Sequence, residues 1–233
     1  MSRAPDAGTR ASMPGKLLRS GGRWFRYLVL RRGIRSDHRG VRLVMHRAGP
    51  GHVQACLEKV RAALDVIAEH DPDRLTELRE RFDQVLIWYG PAPANGSYLH
   101  SQRLCELNCE YVEKAEIEPA RVAMTLVHEL THARLMGTAD PTRPMSVPQA
   151  EWLCIGSEVA FAKRLPGAEH LVSAAQRRME RRPQFYSPEA HAERTLENLR
   201  ALSPPGWLMR LAERMYERRF GRRSGSARPD PRD

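Results

Sequence analysis

Long apolar runs are missing from this chain, and their absence sets a first boundary on what it can be. The longest candidate near the start, Trp24 to Leu30, is short and interrupted by Arg26, whereas crossing a bilayer takes roughly 18 to 20 consecutive apolar residues. No transmembrane helix is expected. The opening residues scatter Arg3, Arg10, Lys16 and Arg19 among Ser, Ala, Gly and Pro. They lack the compact apolar stretch and cleavage site of a secretory signal, so a cytoplasmic location is expected. Cysteine is scarce too: Cys56, Cys105, Cys109 and Cys154 follow neither a disulfide framework nor a Cys-x-x-Cys zinc spacing. They read as small buried residues in reducing surroundings. Lysine supplies only four of the 38 basic residues, although the formal net charge is +10. Arginine replacing lysine throughout is a compositional bias. No aromatic-interleaved basic strand or recognition helix accompanies the charge, so a nucleic-acid partner is not expected.

What is present suffices for one medium domain with tails, since 233 residues can build a core without a disulfide or metal staple. Residues 1–22 and 222–233 are rich in Arg, Ser, Gly and Pro without periodicity and read as disordered ends; the folded domain is expected over 23–221. Val41 to Met45 and Val85 to Trp88 are apolar runs closed by turn residues and read as strands. Between them, Val53, Cys56, Leu57, Val60, Ala63, Leu64 and Ile67 recur at helical spacing, giving a helix from His52 to about Glu69. Asp71-Pro72 then starts a second, with Asp71 as its cap. Cys105, Leu107, Cys109 and Tyr111 alternate with Glu106, Asn108 and Glu110. That alternation predicts a strand from Leu104 to Val112 with one face in water and an edge on which an extended peptide could pair.

Helices are expected from Pro119 to Met136, with Gly137 just past the end, and from Val147 to about Arg164. The second is opened by a capping box, Ser146 with Gln149. Later helices are expected at Gly167 to Arg181, Pro188 to Leu202 and Gly206 to Phe220. The apolar side of the last, led by Trp207, is expected to pack on the core.

The chemistry concentrates in His128-Glu129-Leu130-Thr131-His132. Inside a helix, the two imidazoles stand one turn apart on one face and can meet a single metal ion, with Glu129 angled toward a water at that ion. Zinc accepts imidazole nitrogen at about 2.0 to 2.1 Å, and a catalytic site needs one further protein ligand and an open position. The preceding residues Val122, Ala123, Met124, Leu126 and Val127 are apolar enough to bury the string.

On this motif, with a strand ahead of its helix, the stretch from Val85 to Pro166 resembles the zincin superfamily of metallopeptidases. Metzincins place Gly and His three and six residues after the second histidine, where this chain has Leu135 and Thr138. Peptide deformylases take a cysteine from a Glu-Gly-Cys motif, in which neither Cys105 nor Cys109 sits, and the next histidine, His170, lies beyond a whole helix. The gluzincin pattern remains, with a glutamate on the following helix. Glu151 stands nineteen residues after His132, and Glu158 lies two turns further on much the same face, as an alternative ligand or a partner orienting an imidazole. The chain carries Ile155 where thermolysin-like enzymes have an Asp, and it lacks the aminopeptidase Gly-x-Met-Glu-Asn motif. The resemblance implies an α+β, zincin-like fold: a small, mostly antiparallel or mixed sheet, the motif helix and a helical C-terminal part. It further implies a Zn2+ cofactor on His128, His132 and Glu151, Glu129 as catalytic base, and a peptide or protein substrate. Tyr186, His170 and His191 are candidates for steadying the oxyanion. Two rival classes stay open: a zincin-like module that holds metal without turnover, and an arginine-rich, nucleic-acid-associated protein.

Overall fold

The computed structural model describes residues 33–45, 50–89, 95–138, 145–180 and 206–220, with isolated positions between 187 and 200. The expected tails, the helix at Pro188 to Leu202 and the run Trp24 to Leu30 lie wholly or largely outside them.

The fold is mixed α+β. A hairpin opens it, β1 (Ile34–His38) and β2 (Val41–Met45) pairing antiparallel. Its two-residue turn puts Arg39 at φ 51° and Gly40 at φ 73°, the paired positive φ angles that match strand twist in a tight hairpin. Helices α1 (Pro50–His70) and α2 (Pro72–Arg81) lead to β3 (Gln84–Trp88), which pairs parallel to β2. Then come β4 (Gly96–Leu99), a 3-10 turn at His100–Gln102 and β5 (Leu104–Asn108). β5 inserts between β3 and β4, parallel to the first and antiparallel to the second, so the sheet order is β1-β2-β3-β5-β4. The rest is helical: α3 (Cys109–Glu113), α4 (Pro119–Thr138), α5 (Val147–Ala162), α6 (Glu169–Met179) and α7 (Gly206–Phe220).

Leu43, Met45, Val85, Ile87, Cys105 and Leu107 share one sheet face and one buried cluster with Cys56, Val60, Leu64 and Ile67 of α1 and Val122, Leu126 and Val127 of α4. Each such aliphatic side chain contributes about 1.5 to 3 kcal/mol on burial, which is why the helical periodicity of α1 was readable. On the opposite face Val44, Leu86, Trp88 and Leu104 form a smaller buried cluster. Strands buried on both faces read as unbroken apolar runs, as 84–88 does.

The half-exposed strand expected over Leu104 to Val112 is corrected. β5 stops at Asn108, whose side chain accepts a bond from the Glu110 amide at 2.9 Å and caps α3. The polar residues at 108 and 110 therefore belong to a helix start. Glu106 is 4% exposed, within reach of the Ser97 hydroxyl, which donates at 3.2 Å. Neither face of β5 opens to water, and the sheet edge on that side is β4.

Smaller corrections concern helix ends. Gly137 lies within α4, not past it. Asp71 precedes α2, but its carboxylate makes no capping bond; it takes Arg74 at 2.6 Å and Arg164 at 2.9 Å instead. On α7, Trp207 is 63% exposed, against the expected core packing. The Ser146 capping box of α5 is present in both directions. No helix among the described residues is long and apolar enough to cross a membrane.

Candidate metal centre

The motif lies in the middle of α4, packed so closely that His128, Glu129, Leu130 and Thr131 are all buried. One helical turn brings the imidazoles of His128 and His132 to the same side, with ring centroids 4.9 Å apart and planes at 65°. Glu151, in the second turn of α5, faces both. Its Oε2 stands 3.5 Å from His128 Nε2 and its Oε1 3.4 Å from His132 Nε2. Ordinary N–H···O bonds run about 2.7 to 3.2 Å, so these gaps are loose for direct bonds. Ligands at about 2.0 to 2.1 Å around a tetrahedral ion stand about 3.3 to 3.4 Å from one another. Both gaps are close to that spacing, each measured to a different oxygen of Glu151, and imidazole and carboxylate are donors that divalent metals accept.

Glu158 occupies a different place. Its Oε1 meets His128 Nδ1 at 2.6 Å, and its Oε2 accepts from Arg178 Nη1 of α6, also at 2.6 Å. A carboxylate held by a guanidinium only accepts, so Nδ1 carries the proton and Nε2 is left to face Glu151, the outer-carboxylate arrangement usual behind a ligating histidine. Burial works against a charged His128, but the carboxylates of Glu151 and Glu158 outweigh it and push its pKa up to about 10. Burial alone would raise Glu151; the two imidazoles more than reverse this and hold its carboxyl well below the usual range. Burial raises Glu129, partly offset by His128 and His132.

Glycine at position 96 lets β4 cross directly over Glu129. A Cβ there would lie 2.9 Å from Thr125 Cγ2 and 3.1 Å from Glu129 Oε1, closer than side chains tolerate. Cys154, three residues after Glu151 and so on much the same face of α5, is buried. Its sulfur and the His128 and His132 nitrogens all lie within 4.8 Å of one another. Burial and the nearby carboxylates, Glu151 first, raise its pKa strongly.

Sequence reasoning named His128, Glu129, His132, Glu151 and Glu158, and these residues lie together. It missed Cys154, which the i, i+3 spacing from Glu151 could have flagged. It missed Arg178 and Gly96 as well, and neither carries a local signal. Of the oxyanion candidates, His170 is engaged by Glu118 at 2.7 Å on the surface, and Tyr186 and His191 lie outside the described residues. No protein-family model, curated protein or solved structure matches the chain.

Proposed function

We propose that this protein is a zinc-dependent peptidase of zincin type, with zinc held by His128, His132 and Glu151. The observation that carries the reading is the spacing of those three groups, 3.4 and 3.5 Å between imidazole nitrogens and carboxylate oxygens, with both imidazoles on the helix that also presents Glu129 and the carboxylate on α5. When bound, zinc supplies a Lewis acid and lowers the pKa of water at the site toward about 7. Glu129 takes the proton of the attacking water and delivers it to the leaving amine. Its burial suits the return step, because a carboxyl raised by desolvation holds a proton more readily than an exposed one. Glu158, steadied by Arg178, fixes the His128 ring so that Nε2 keeps its direction. The strand over Glu129 is β4, and its outer edge takes over the peptide-pairing role that the sequence suggested for 104–112. An extended substrate pairing there would pass above the base.

Cys154 favours a second reading. Its thiolate as a fourth protein ligand would close the coordination shell and leave no place for water, as in structural sites, giving a metal-holding module without turnover. Zinc analysis combined with a peptide-cleavage screen of the wild type and Glu129→Gln separates the two. The peptidase reading expects about one zinc per chain in both proteins and cleavage reduced about 100- to 10,000-fold in the variant. Zinc without any Glu129-dependent cleavage selects the closed module, and absence of zinc binding sinks both.

A further inference from the structure

A second group of reactive side chains lies between α1 and α3. Cys56 of α1 and Cys109, the first residue of α3, are each 0% exposed, and their sulfurs stand 2.9 Å apart. Glu113 belongs to the same group, with its ligand oxygen within 4.8 Å of both sulfurs, but Tyr89 donates its hydroxyl to that carboxylate. A metal would find a poor donor set here. Thiolates around tetrahedral zinc sit about 3.8 Å apart at Zn–S distances of about 2.3 Å, and a structural zinc wants four protein ligands. This group offers three, one of them already engaged. For a sulfur–sulfur bond of about 2.05 Å, the sulfurs already face each other and need only close by about 0.9 Å.

We propose that Cys56 and Cys109 are a disulfide-forming pair that crosslinks α1 to the start of α3. The contact between the two sulfurs lowers the pKa of Cys109 and raises that of Cys56, so Cys109 is the thiolate that attacks first. The oxidant is a low-molecular-weight disulfide such as oxidised glutathione. The Cys109 thiolate attacks one of its sulfurs, forming a mixed disulfide and releasing one glutathione thiolate. The Cys56 thiolate then attacks Cys109 Sγ and releases the second. In total, two thiols lose two electrons and two protons, and one glutathione disulfide becomes two thiols. Because both sulfurs are buried, the bond forms as the chain folds or during local opening. The crosslink joins two positions 53 apart in the sequence. It also ties down the turn after β5, where the Tyr111 hydroxyl meets the Thr125 hydroxyl of the motif helix at 3.1 Å.

The test is to unfold the full chain under reducing conditions and refold it in glutathione buffers spanning about a thousandfold range of thiol to disulfide, with a chelator present. Remaining thiols are alkylated in acid and the peptides mapped by mass spectrometry without reduction. The expected product has Cys56 joined to Cys109, Cys105 and Cys154 alkylated, and a melting temperature about 5 to 15 °C above that of the reduced chain. Cys56→Ser should abolish both the crosslink and the shift; if that variant does not fold, the wild-type map decides alone. Four alkylated cysteines at every ratio in folded protein would overturn the proposal. So would a crosslink to Cys105 or Cys154, or protection of Cys56 and Cys109 by added zinc when chelator is omitted and no crosslink forms.

Discussion

Two groups of ligand-type side chains lie in the described part of this molecule, and they differ in spacing. Between α4 and α5, imidazole nitrogens and carboxylate oxygens stand 3.4 and 3.5 Å apart, loose for bonding to each other and suited to sharing an ion. Between α1 and α3, two sulfurs stand 2.9 Å apart, too near for an ion and nearly near enough for a bond. The residue types alone would nominate both as metal sites. What separates them is distance, and what surrounds them: Glu158 and Arg178 brace His128, whereas Tyr89 ties up the Glu113 carboxylate beside the cysteines. A supporting shell that orients a donor is a sign of ligation, and one that occupies it is a sign against.

The sharpest way to break this contrast is to remove one donor from each group. His132→Ala should weaken zinc binding by about 1,000-fold, on the order of one ligand's share of the roughly 10 to 16 kcal/mol that a full structural set provides. Cys56→Ser should leave zinc affinity unchanged. Competition titration against a chromogenic chelator measures both. Zinc lost from the cysteine variant and kept by the histidine variant would reverse the assignment.

Protons offer a second test, since the His128 imidazole has to shed one to hold zinc. His128 is raised from an ordinary value near 6.5 to about 10, so between those limits the metal-free imidazole carries a proton that zinc displaces. Zinc affinity should therefore climb about tenfold per pH unit from near 7 and level off near 10. The sign for stability is opposite. A folded-state pKa raised above the unfolded value stabilises the metal-free chain fully below about 6.5, and that contribution is lost as pH rises through about 10. Calorimetric titrations at several pH values, with melting curves of the metal-free protein, would expose a flat profile if His128 were already neutral.

Arg178→Met is expected to act less strongly. Losing the guanidinium frees Glu158 to swing away from His128 Nδ1, and outer-partner losses of this kind cost about 10- to 100-fold in metal affinity. Cys56–Cys109 crosslinking should be untouched, because Arg178 lies on α6. Unchanged zinc affinity would mean that Glu158 holds the imidazole unaided.

How much of this could be read beforehand differs between the two groups for a physical reason. The motif helix announces itself because four residues place both histidines on one face, and the Ser146 and Gln149 cap announces α5 because capping is local in sequence. Glu151 follows from the gluzincin resemblance, which implies a glutamate on the helix after the motif. The two sulfurs lie 53 positions apart in the sequence, and nothing near Cys56 points to Cys109; only the packing of α1 against α3 joins them. The same holds for Arg178. The strand at 104–112 was misjudged because Glu106 looks like a solvent residue in one dimension, yet β4 and its Ser97 cover it. β4 itself, Gly-Ser-Tyr-Leu, is too short and too mixed to show a strand period, and β1 is largely exposed and polar. Each becomes a strand through its neighbour.

The smallest effect should come from the start of α5, and it tests whether the first group depends on helix order as well as on donors. The Ser146 hydroxyl accepts from the Gln149 amide at 3.4 Å, and the Gln149 side chain accepts from the Ser146 amide at 3.1 Å. Ser146→Ala removes the first bond and should cost about 1 kcal/mol of stability, read as a small drop in the denaturation midpoint with unchanged slope. Glu151 sits only one turn beyond this cap, so fraying there releases a donor that must face two imidazoles at once. Zinc affinity should fall severalfold and remain within about tenfold of wild type, since about 1.4 kcal/mol corresponds to tenfold. The Cys56–Cys109 pair, on other elements, should crosslink as before. If stability falls while zinc affinity does not, the inner turns of α5 hold Glu151 in place without the cap, and packing against α4 is what positions the carboxylate.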